Sequence, residues 1–313
     1  MTALRAHRRG GPEVLVVERA PVPVPAAGEV LVEVHAAAIT FDELTWDETW
    51  TRDGISRTPM IPSHEVSGVV AELGSGVTDF TPGDDVYGLI PFDRDGAAAD
   101  FVAVPAPDVA AKPSTVSHAG AATLPLAGLT ALQALVDHAA VQRGESVLIH
   151  GGAGGVGALA VQLAVMLGAR VTATVRSDAA ELLRSFGAER IVDVRTEAFD
   201  AGGAAYDVVI YTVGGPTLDR SFGVLRRGGR LVTLSALPPP GKADEYGVTA
   251  VFFIVTADRA QLAELAALVD GKRLRVEIAQ TFPLGRGREA FESGRRSGPS
   301  PGRRPGKTVL IVR

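Results

Sequence analysis

Hydrophobic and polar positions follow two different rhythms along this chain. Over the first hundred residues or so, short alternating apolar runs such as Glu29-Val-Leu-Val-Glu-Val-His35 and Val66-Ser-Gly-Val-Val-Ala71 sit between Pro and Gly turns. Alternation with period two puts one face of each strand into a core, so this part predicts a β-rich, barrel-like domain. Pro21-Val-Pro-Val-Pro25 reads as an extended connection, and Thr81-Pro-Gly-Asp-Asp85 as a turn before the strand Val86-Tyr-Gly-Leu-Ile90. From about His118 the pattern changes to strands alternating with helical runs. Strands are expected at 171–175, 208–211 and 230–234, with Gly214-Gly215 and Gly228-Gly229 as turns, which predicts a parallel sheet with helices on both faces. After a helix over 259–269, the segments 276–279 and 307–312 resume β character. The expected organisation is therefore a discontinuous first domain, 1–120 with 257–313, around a second domain at 121–256.

One junction in the second domain carries chemistry. Val147-Leu-Ile-His-Gly-Gly-Ala-Gly-Gly-Val-Gly157 runs straight into Ala158-Leu-Ala-Val-Gln-Leu-Ala-Val-Met-Leu167, a strand, a glycine-rich turn and a helix. Gly152, Gly154 and Gly157 have the spacing of a dinucleotide loop, in which the first glycine allows the turn, the second lets backbone approach a pyrophosphate and the third permits close helix packing. Together with Ala153, Gly155 and Val156 they would offer main-chain N–H groups to phosphate at a helix mouth. At the end of the following strand, where an NAD site usually has an acid for the ribose hydroxyls, stand Arg176 and Ser177, which suit the extra 2′-phosphate of NADP(H). The stretch 147–169 lacks Asp, Glu, Lys and Arg and could be taken for a membrane span. Its glycines cluster in the first half, however, and the remaining apolar run is about half of the roughly 20 residues a bilayer requires.

Composition narrows the remaining classes. A length of 313 residues suits about two domains, and 46% hydrophobic residues can fill two cores. The net charge of −5 gives no basic surface for nucleic acid. The first ten residues have charge without an apolar signal core behind them, so a cytoplasmic location is expected, and no membrane partner. Zero cysteines exclude disulfides, thiolate zinc sites and a cysteine nucleophile. The segment 285–306, with arginines at 286, 288, 295, 296, 303 and 304, reads as a solvated loop rather than a phosphate patch.

Several segments, in order, resemble the medium-chain dehydrogenase/reductase family in its zinc-independent quinone oxidoreductase branch. They are Gly10-Gly-Pro-Glu-Val-Leu15, Pro25-Ala-Ala-Gly-Glu-Val-Leu-Val-Glu-Val-His-Ala36, Gly74-Ser-Gly-Val77, Phe80-Thr-Pro-Gly-Asp-Asp-Val-Tyr-Gly88 and Leu124-Pro-Leu-Ala-Gly-Leu-Thr-Ala131. The glycine loop, Ser185-Phe-Gly-Ala188, Thr212-Val-Gly-Gly215 and Leu225-Arg-Arg-Gly-Gly-Arg-Leu-Val232 continue the series. The resemblance implies an α/β chain with a GroES-like β-rich domain and a Rossmann doubly wound parallel-sheet domain. It also implies a cleft between them for nicotinamide and substrate, NAD(P)H-dependent chemistry and a homodimer.

Site residues follow from the resemblance. Val213, Gly214 and Gly215 would join the cofactor contacts. Many NADP-binding relatives have a tyrosine before an arginine where this chain has Asp193-Val-Arg195, which makes Arg195 a second candidate for the 2′-phosphate. Zinc-dependent relatives use a cysteine, the histidine of a Gly-His-Glu segment and a third ligand near the start of the central domain. Here those positions read Thr40, His64 and a residue near Thr123, and one imidazole cannot build a three-ligand site. His64 is thus a structural or substrate-facing residue, and Thr40 either ends a strand or donates to a developing oxyanion. Phe41, Trp46 and Trp50 would form an aromatic wall for a flat acceptor, or a lid, or core. Phe252 and Phe253 resemble the segment behind the nicotinamide, or are ordinary strand packing. Asp42, Glu43, His64, Tyr87 and Tyr211 are candidate proton sources, with solvent water as the alternative.

Without a Lewis acid, hydride addition to a simple ketone is disfavoured, whereas addition to an enone or quinone spreads its charge by conjugation. The expected activity is NADPH-dependent reduction of a quinone or α,β-unsaturated carbonyl compound. Two alternatives stand beside it: an enoyl-thioester reductase of polyketide or fatty-acid metabolism, and an NADPH-binding protein with a non-catalytic role.

Overall fold

The computed structural model describes residues 1–176, 178–294 and 305–313. In its first unit the period-two runs become strands. β1 (Thr2–Ala6) and β2 (Leu15–Arg19) pair as an antiparallel hairpin, and β3 (Glu29–Ile39) is the long strand that organises the larger sheet. A short helix α1 (Asp47–Trp50) leads to the small hairpin β4 (Thr51–Arg52) and β5 (Ile55–Ser56). Then come β6 (Glu65–Leu73), β7 (Asp85–Leu89), β8 (Phe101–Pro105) and β9 (Val109–Ala111), followed by α2 (His118–Ala121) and α3 (Pro125–Leu132). The inward face is apolar: Val30, Val32 and Val34 of β3 pack with Val66, Val86, Val102 and Val104 in one buried cluster.

The second unit alternates strand and helix: β10 (Ser146–Ile149), α4 (Gly155–Met166), β11 (Arg170–Val175), α5 (Ala180–Ser185), β12 (Arg190–Asp193), β13 (Tyr206–Tyr211), α6 (Thr217–Ser221), β14 (Leu225–Thr233), α7 (Lys242–Tyr246) and β15 (Thr249–Phe252). All six strands are parallel, in the order β12-β11-β10-β13-β14-β15. Counted within the unit this is 3-2-1-4-5-6, the doubly wound Rossmann arrangement, whose winding reverses between β10 and β13. The charge-free stretch is explained here. β10 and the residues Gly157–Ala164 of α4 are buried inside this unit, and no described helix is long and apolar enough to cross a membrane.

The chain then returns to the first unit through α8 (Arg259–Asp270), β16 (Ile278–Pro283), α9 (Gly287–Glu292) and β17 (Lys307–Ile311). β17 completes the sheet β16-β17-β3-β6-β7-β9, with β8 also on β3. The C-terminal half of β3 is buried on both faces because Ala36 and Ala38 lie under Ala122 and Val309. The division between units falls at Leu129/Thr130, inside α3, and at Val255/Thr256. The start of α3 belongs with the sheet because Leu126 N donates to Glu65 Oε1 (3.0 Å) and Gly128 leaves room for Leu265.

Three local expectations need correction. Gly228 and Gly229 are not a turn between elements but lie within β14, where pairing with β13 slips from Tyr206/Leu225 to Val208/Arg230 and Gly228 takes φ +78°. β12 was not foreseen, and β15 only as the strand alternative for Phe252; each is only four residues long and pairs at an edge that β11 or β14 leaves open. Part of the arginine-rich loop is helical, since Ala290 and Phe291 of α9 enter the core while Arg286 and Arg288 pair outward with Glu289 and Glu292. The arginines at 295, 296, 303 and 304 lie outside the described residues.

Candidate active site

The glycine loop leaves β10 at the point where the winding of the sheet reverses, and the segment 212–215 leaves β13 beside it. The turn is made by Gly151, φ +72°, where a side chain would also meet Val213 Cγ1 at 2.5 Å and Thr212 Oγ1 at 2.8 Å. This corrects the role first given to Gly152, which instead is small for space: a Cβ there would lie 2.9 Å from Ala173 Cβ. Gly154 caps α4 in extended conformation without a side-chain hydrogen bond, so the first-turn N–H groups of Gly155, Val156 and Gly157 have no intrahelical acceptor. Gly157 packs so closely that a Cβ would be 2.1 Å from Gly151 O. Ala153 lies within the same turn. Beneath it, Thr174 of β11 accepts from Gly151 N through Oγ1 (3.1 Å) and from Gly152 N through its carbonyl (2.9 Å). Neutral His150 bridges Thr174 Oγ1 and Ser221 Oγ, and burial pushes its pKa down to about 4. This arrangement fits a dinucleotide: bare amides at a helix mouth, held open by glycines, at the switch point of a parallel sheet.

Arg176 and Arg195 follow the ends of the adjacent strands β11 and β12. They differ in what they already hold. Arg195 donates to both oxygens of Asp193 (Nε, 2.9 and 3.0 Å) and to Asp178 (3.2 Å), and these carboxylates raise its pKa further. Arg176 is exposed and meets no carboxylate among the described residues. Ser177 lies outside the described residues. Val213 is exposed, and Gly214 and Gly215 have positive φ, their carbonyls tied to Tyr211 Oη at 2.6 and 3.0 Å. Phe252 ends β15, and Phe253 stacks on His138 with centroids 4.1 Å apart.

In the first unit a second cluster forms where β3 ends and where β6 and β17 begin. Ala38 faces Glu65, and Thr308 faces Ile39, so Thr40, Glu65 and Lys307 converge. Lys307 Nζ donates to Thr40 Oγ1 (3.0 Å) and pairs with Glu65 Oε2. Burial pushes the Glu65 carboxyl up, opposed by Lys307 and by the first amides of α3. Next to it, Glu43 Oε2 meets His64 Nδ1 (3.1 Å), and Glu43 Oε1 accepts from Ser63 N (3.1 Å). Nδ1 of His64 is thus engaged by Glu43, while the buried Nε2 has no partner among the described residues. Phe92 sits edge-on to His64 (5.3 Å) and Trp46 edge-on to Phe92 (5.2 Å).

The remaining aromatic and phenolic candidates lie in other settings. Trp50 is 2% exposed with Nε1 bound to Leu44 O (2.9 Å), so it is core and offers no face to a ligand. Phe41 is partly buried against the barrel core and packs on Gly294, where a Cβ would be 2.2 Å from the ring. Tyr87 is fully buried with its hydroxyl on Leu262 O, burial raising its pKa, and Tyr211 is engaged with the 214–215 carbonyls. Asp42 is exposed at a turn.

Residues 26–114 match the alcohol dehydrogenase GroES-like domain, and residues 186–310 match the zinc-binding dehydrogenase model. The NADPH-dependent alkenal/one oxidoreductase, chloroplastic, of Arabidopsis thaliana is 33% identical over 294 residues, covering 90% of this chain and 73% of that protein. The chain belongs to the medium-chain dehydrogenase/reductase superfamily. Among solved structures of this superfamily, the quinone oxidoreductase from Coxiella burnetii superposes with TM-score 0.91 at 31% identity, covering 100% of this chain and 99% of that one. CurK enoyl reductase gives TM-score 0.86 at 28% identity over 100% and 99%. A nicotinamide cofactor is expected of this superfamily, and the glycine loop has the form to hold one.

The second matched family is described as zinc-binding, but a catalytic zinc does not fit the residues present. Of Thr40, His64 and Thr123 only His64 is a good ligand, and Thr123 Oγ1 is already donated to Gly120 O (2.7 Å). Among the described residues no three His, Cys, Asp or Glu side chains converge. What sequence reading passed over is Lys307. Its signal was there: a lysine opening the apolar run Thr308-Val-Leu-Ile-Val312 and a glutamate opening the apolar run of β6 are opposite charges that must pair if both strands are buried.

Proposed function

We propose that this protein reduces a quinone or an α,β-unsaturated carbonyl compound with NADPH, using hydrogen-bond donors of the chain in place of a catalytic metal. The observation that carries the reading is the donor set at the end of β3: a threonine hydroxyl held by a lysine, with a single imidazole nearby, where a zinc enzyme would need three ligands. The bound cofactor supplies hydride. Gly155, Val156 and Gly157 would hold its pyrophosphate by main-chain N–H groups, and Arg176, free of carboxylates among the described residues, is the better placed cation for a 2′-phosphate. Thr40 would donate to the carbonyl oxygen on which charge develops. Hydrogen bonds suffice for this, because an enolate or hydroquinone anion is already delocalised. The name of the Arabidopsis relative, an alkenal/one oxidoreductase that depends on NADPH, supports both halves of the reading.

The likeness to CurK favours a second reading in which the acceptor is an enoyl thioester. One assay separates the two. NADPH oxidation is followed with a panel of quinones, free enones and crotonyl thioesters, and with a secondary alcohol plus NADP⁺ and added zinc. Turnover of quinones or free enones is expected; a preference for the thioester selects the second reading. Turnover of the alcohol with zinc alone would overturn both, and tight NADPH binding without any turnover would favour a non-catalytic role.

A further inference from the structure

Lys307 opens β17 and keeps 9% of its surface exposed, while Thr40 is half-buried beside it. An ammonium has three protons and no lone pair. One proton serves Thr40 Oγ1, at 3.0 Å, and the ammonium is also ion-paired with Glu65 Oε2. Because the ammonium cannot accept, Thr40 must be the acceptor in that contact, and its own hydroxyl proton is turned away from Lys307. Among the described residues nothing takes either the Thr40 proton or the third proton of Lys307. Two unspent donors therefore stand 3.0 Å apart at neighbouring strand ends. One oxygen atom at about 2.8 Å from each closes a triangle of ordinary hydrogen-bond lengths with bent hydrogen bonds.

We propose that Thr40 and Lys307 form a two-donor subsite for an anionic oxygen, the enolate or hydroquinone oxygen of the substrate, with Glu65 as the positioning residue. The inference rests on the reading that the protein reduces conjugated carbonyl compounds. A bound reduced nicotinamide would supply hydride to the β-carbon of an enone; the C=C π pair would then become the new Cα=C bond as the carbonyl π pair moved onto oxygen. The substrate would gain the two electrons that the cofactor supplies as hydride. The oxygen, now negative, is met by the Thr40 hydroxyl and the Lys307 ammonium, and a solvent proton at Cα restores the carbonyl. Glu65 makes the device stable. One of its oxygens is fixed by the Leu126 amide and the other by Lys307, so the ammonium cannot swing out to water or turn a lone carboxylate on the substrate. In a nearly buried setting each donor acts through a lower dielectric than water provides.

Lys307→Met alone would strand the buried Glu65 charge, so the test uses Lys307→Met with Glu65→Gln, which removes both partners. With the best acceptor from the panel, the double variant is expected to melt near the wild-type temperature and to bind NADPH within twofold. Its kcat should fall about 100-fold with KM changed less than threefold. Lys307→Arg should recover at least tenfold over it. Thr40→Val should fall similarly and Thr40→Ser little, a pair that decides the matter if the double variant does not fold. A folded, NADPH-binding double variant that turns over within threefold of wild type would overturn the subsite, as would Thr40→Val at wild-type rate. If the wild type itself reduces no conjugated acceptor, the proposed function fails and the subsite with it; active wild type with unaffected variants sinks the subsite alone.

Discussion

Gly157→Ala is the most direct test of the cofactor loop, because helix propensity and packing predict opposite signs. In an exposed helix the change would stabilise by about 0.5–1 kcal/mol. Here the new methyl carbon would sit 2.1 Å from Gly151 O, 2.8 Å from Gly151 C and 2.9 Å from Gly152 Cα, all backbone. Relief requires the loop and the first turn of α4 to part by about 1 Å, the gap between 2.1 Å and an ordinary carbon to oxygen contact, and such overpacking costs about 1–3 kcal/mol. Since the parting separates the amides meant for the pyrophosphate, much of that cost should appear in cofactor affinity, about tenfold per 1.4 kcal/mol. Gly154→Ala is the matched control. Its methyl would lie 3.3 Å from the same oxygen, and φ −76° with ψ 172° suits alanine. Reduced-nicotinamide fluorescence titration should show a tenfold or greater rise in Kd for Gly157→Ala and threefold or less for Gly154→Ala, with Tm following the same order. Equal effects, or an unaffected Gly157→Ala, would refute the account of the loop.

Arg176→Ala should weaken NADPH at least tenfold and NADH less than twofold, as expected for a lost arginine to phosphate contact of about 1.5–3 kcal/mol; an unchanged NADPH/NADH ratio removes the assignment. His150 links stability to pH. Burial lowers its pKa from 6.5 to about 4, so between those values the unfolded chain binds a proton that the fold refuses. Its contribution is complete above pH 6.5 and falls as pH drops toward 4, by roughly 3 kcal/mol at most. Urea unfolding across this window should be flatter for His150→Gln than for wild type, and parallel pH profiles would contradict the assignment. Trp50→Ala should cost about 3–5 kcal/mol as a core deletion, whereas Trp46→Ala, partly exposed against Phe92, should cost far less. Similar losses of stability would show that Trp50 is not the core residue described.

Much of the architecture was legible in the chain because it depends on local periodicity. Alternation in Glu29–His35 and the strand, glycine turn and helix at 147–167 are short-range patterns, and each appears where the pattern placed it. The edge strand β12 was not legible, since a four-residue segment becomes a strand only when a neighbour offers free backbone groups. The glycines were recognised as a group, but their division of labour depends on φ and on which atom lies behind each Cα, so Gly151 emerged only in three dimensions. The same holds for the polar cluster. The family resemblance marked Thr40 and His64 as candidates, and their residue types argued against a three-ligand metal site. Only tertiary structure brought Lys307, 267 positions away in sequence, onto Thr40 and seated Glu65 between that ammonium and the start of α3. Hydrogen-bond direction is a property of neighbours in space, and it is the ammonium beside Thr40 that makes its hydroxyl a donor.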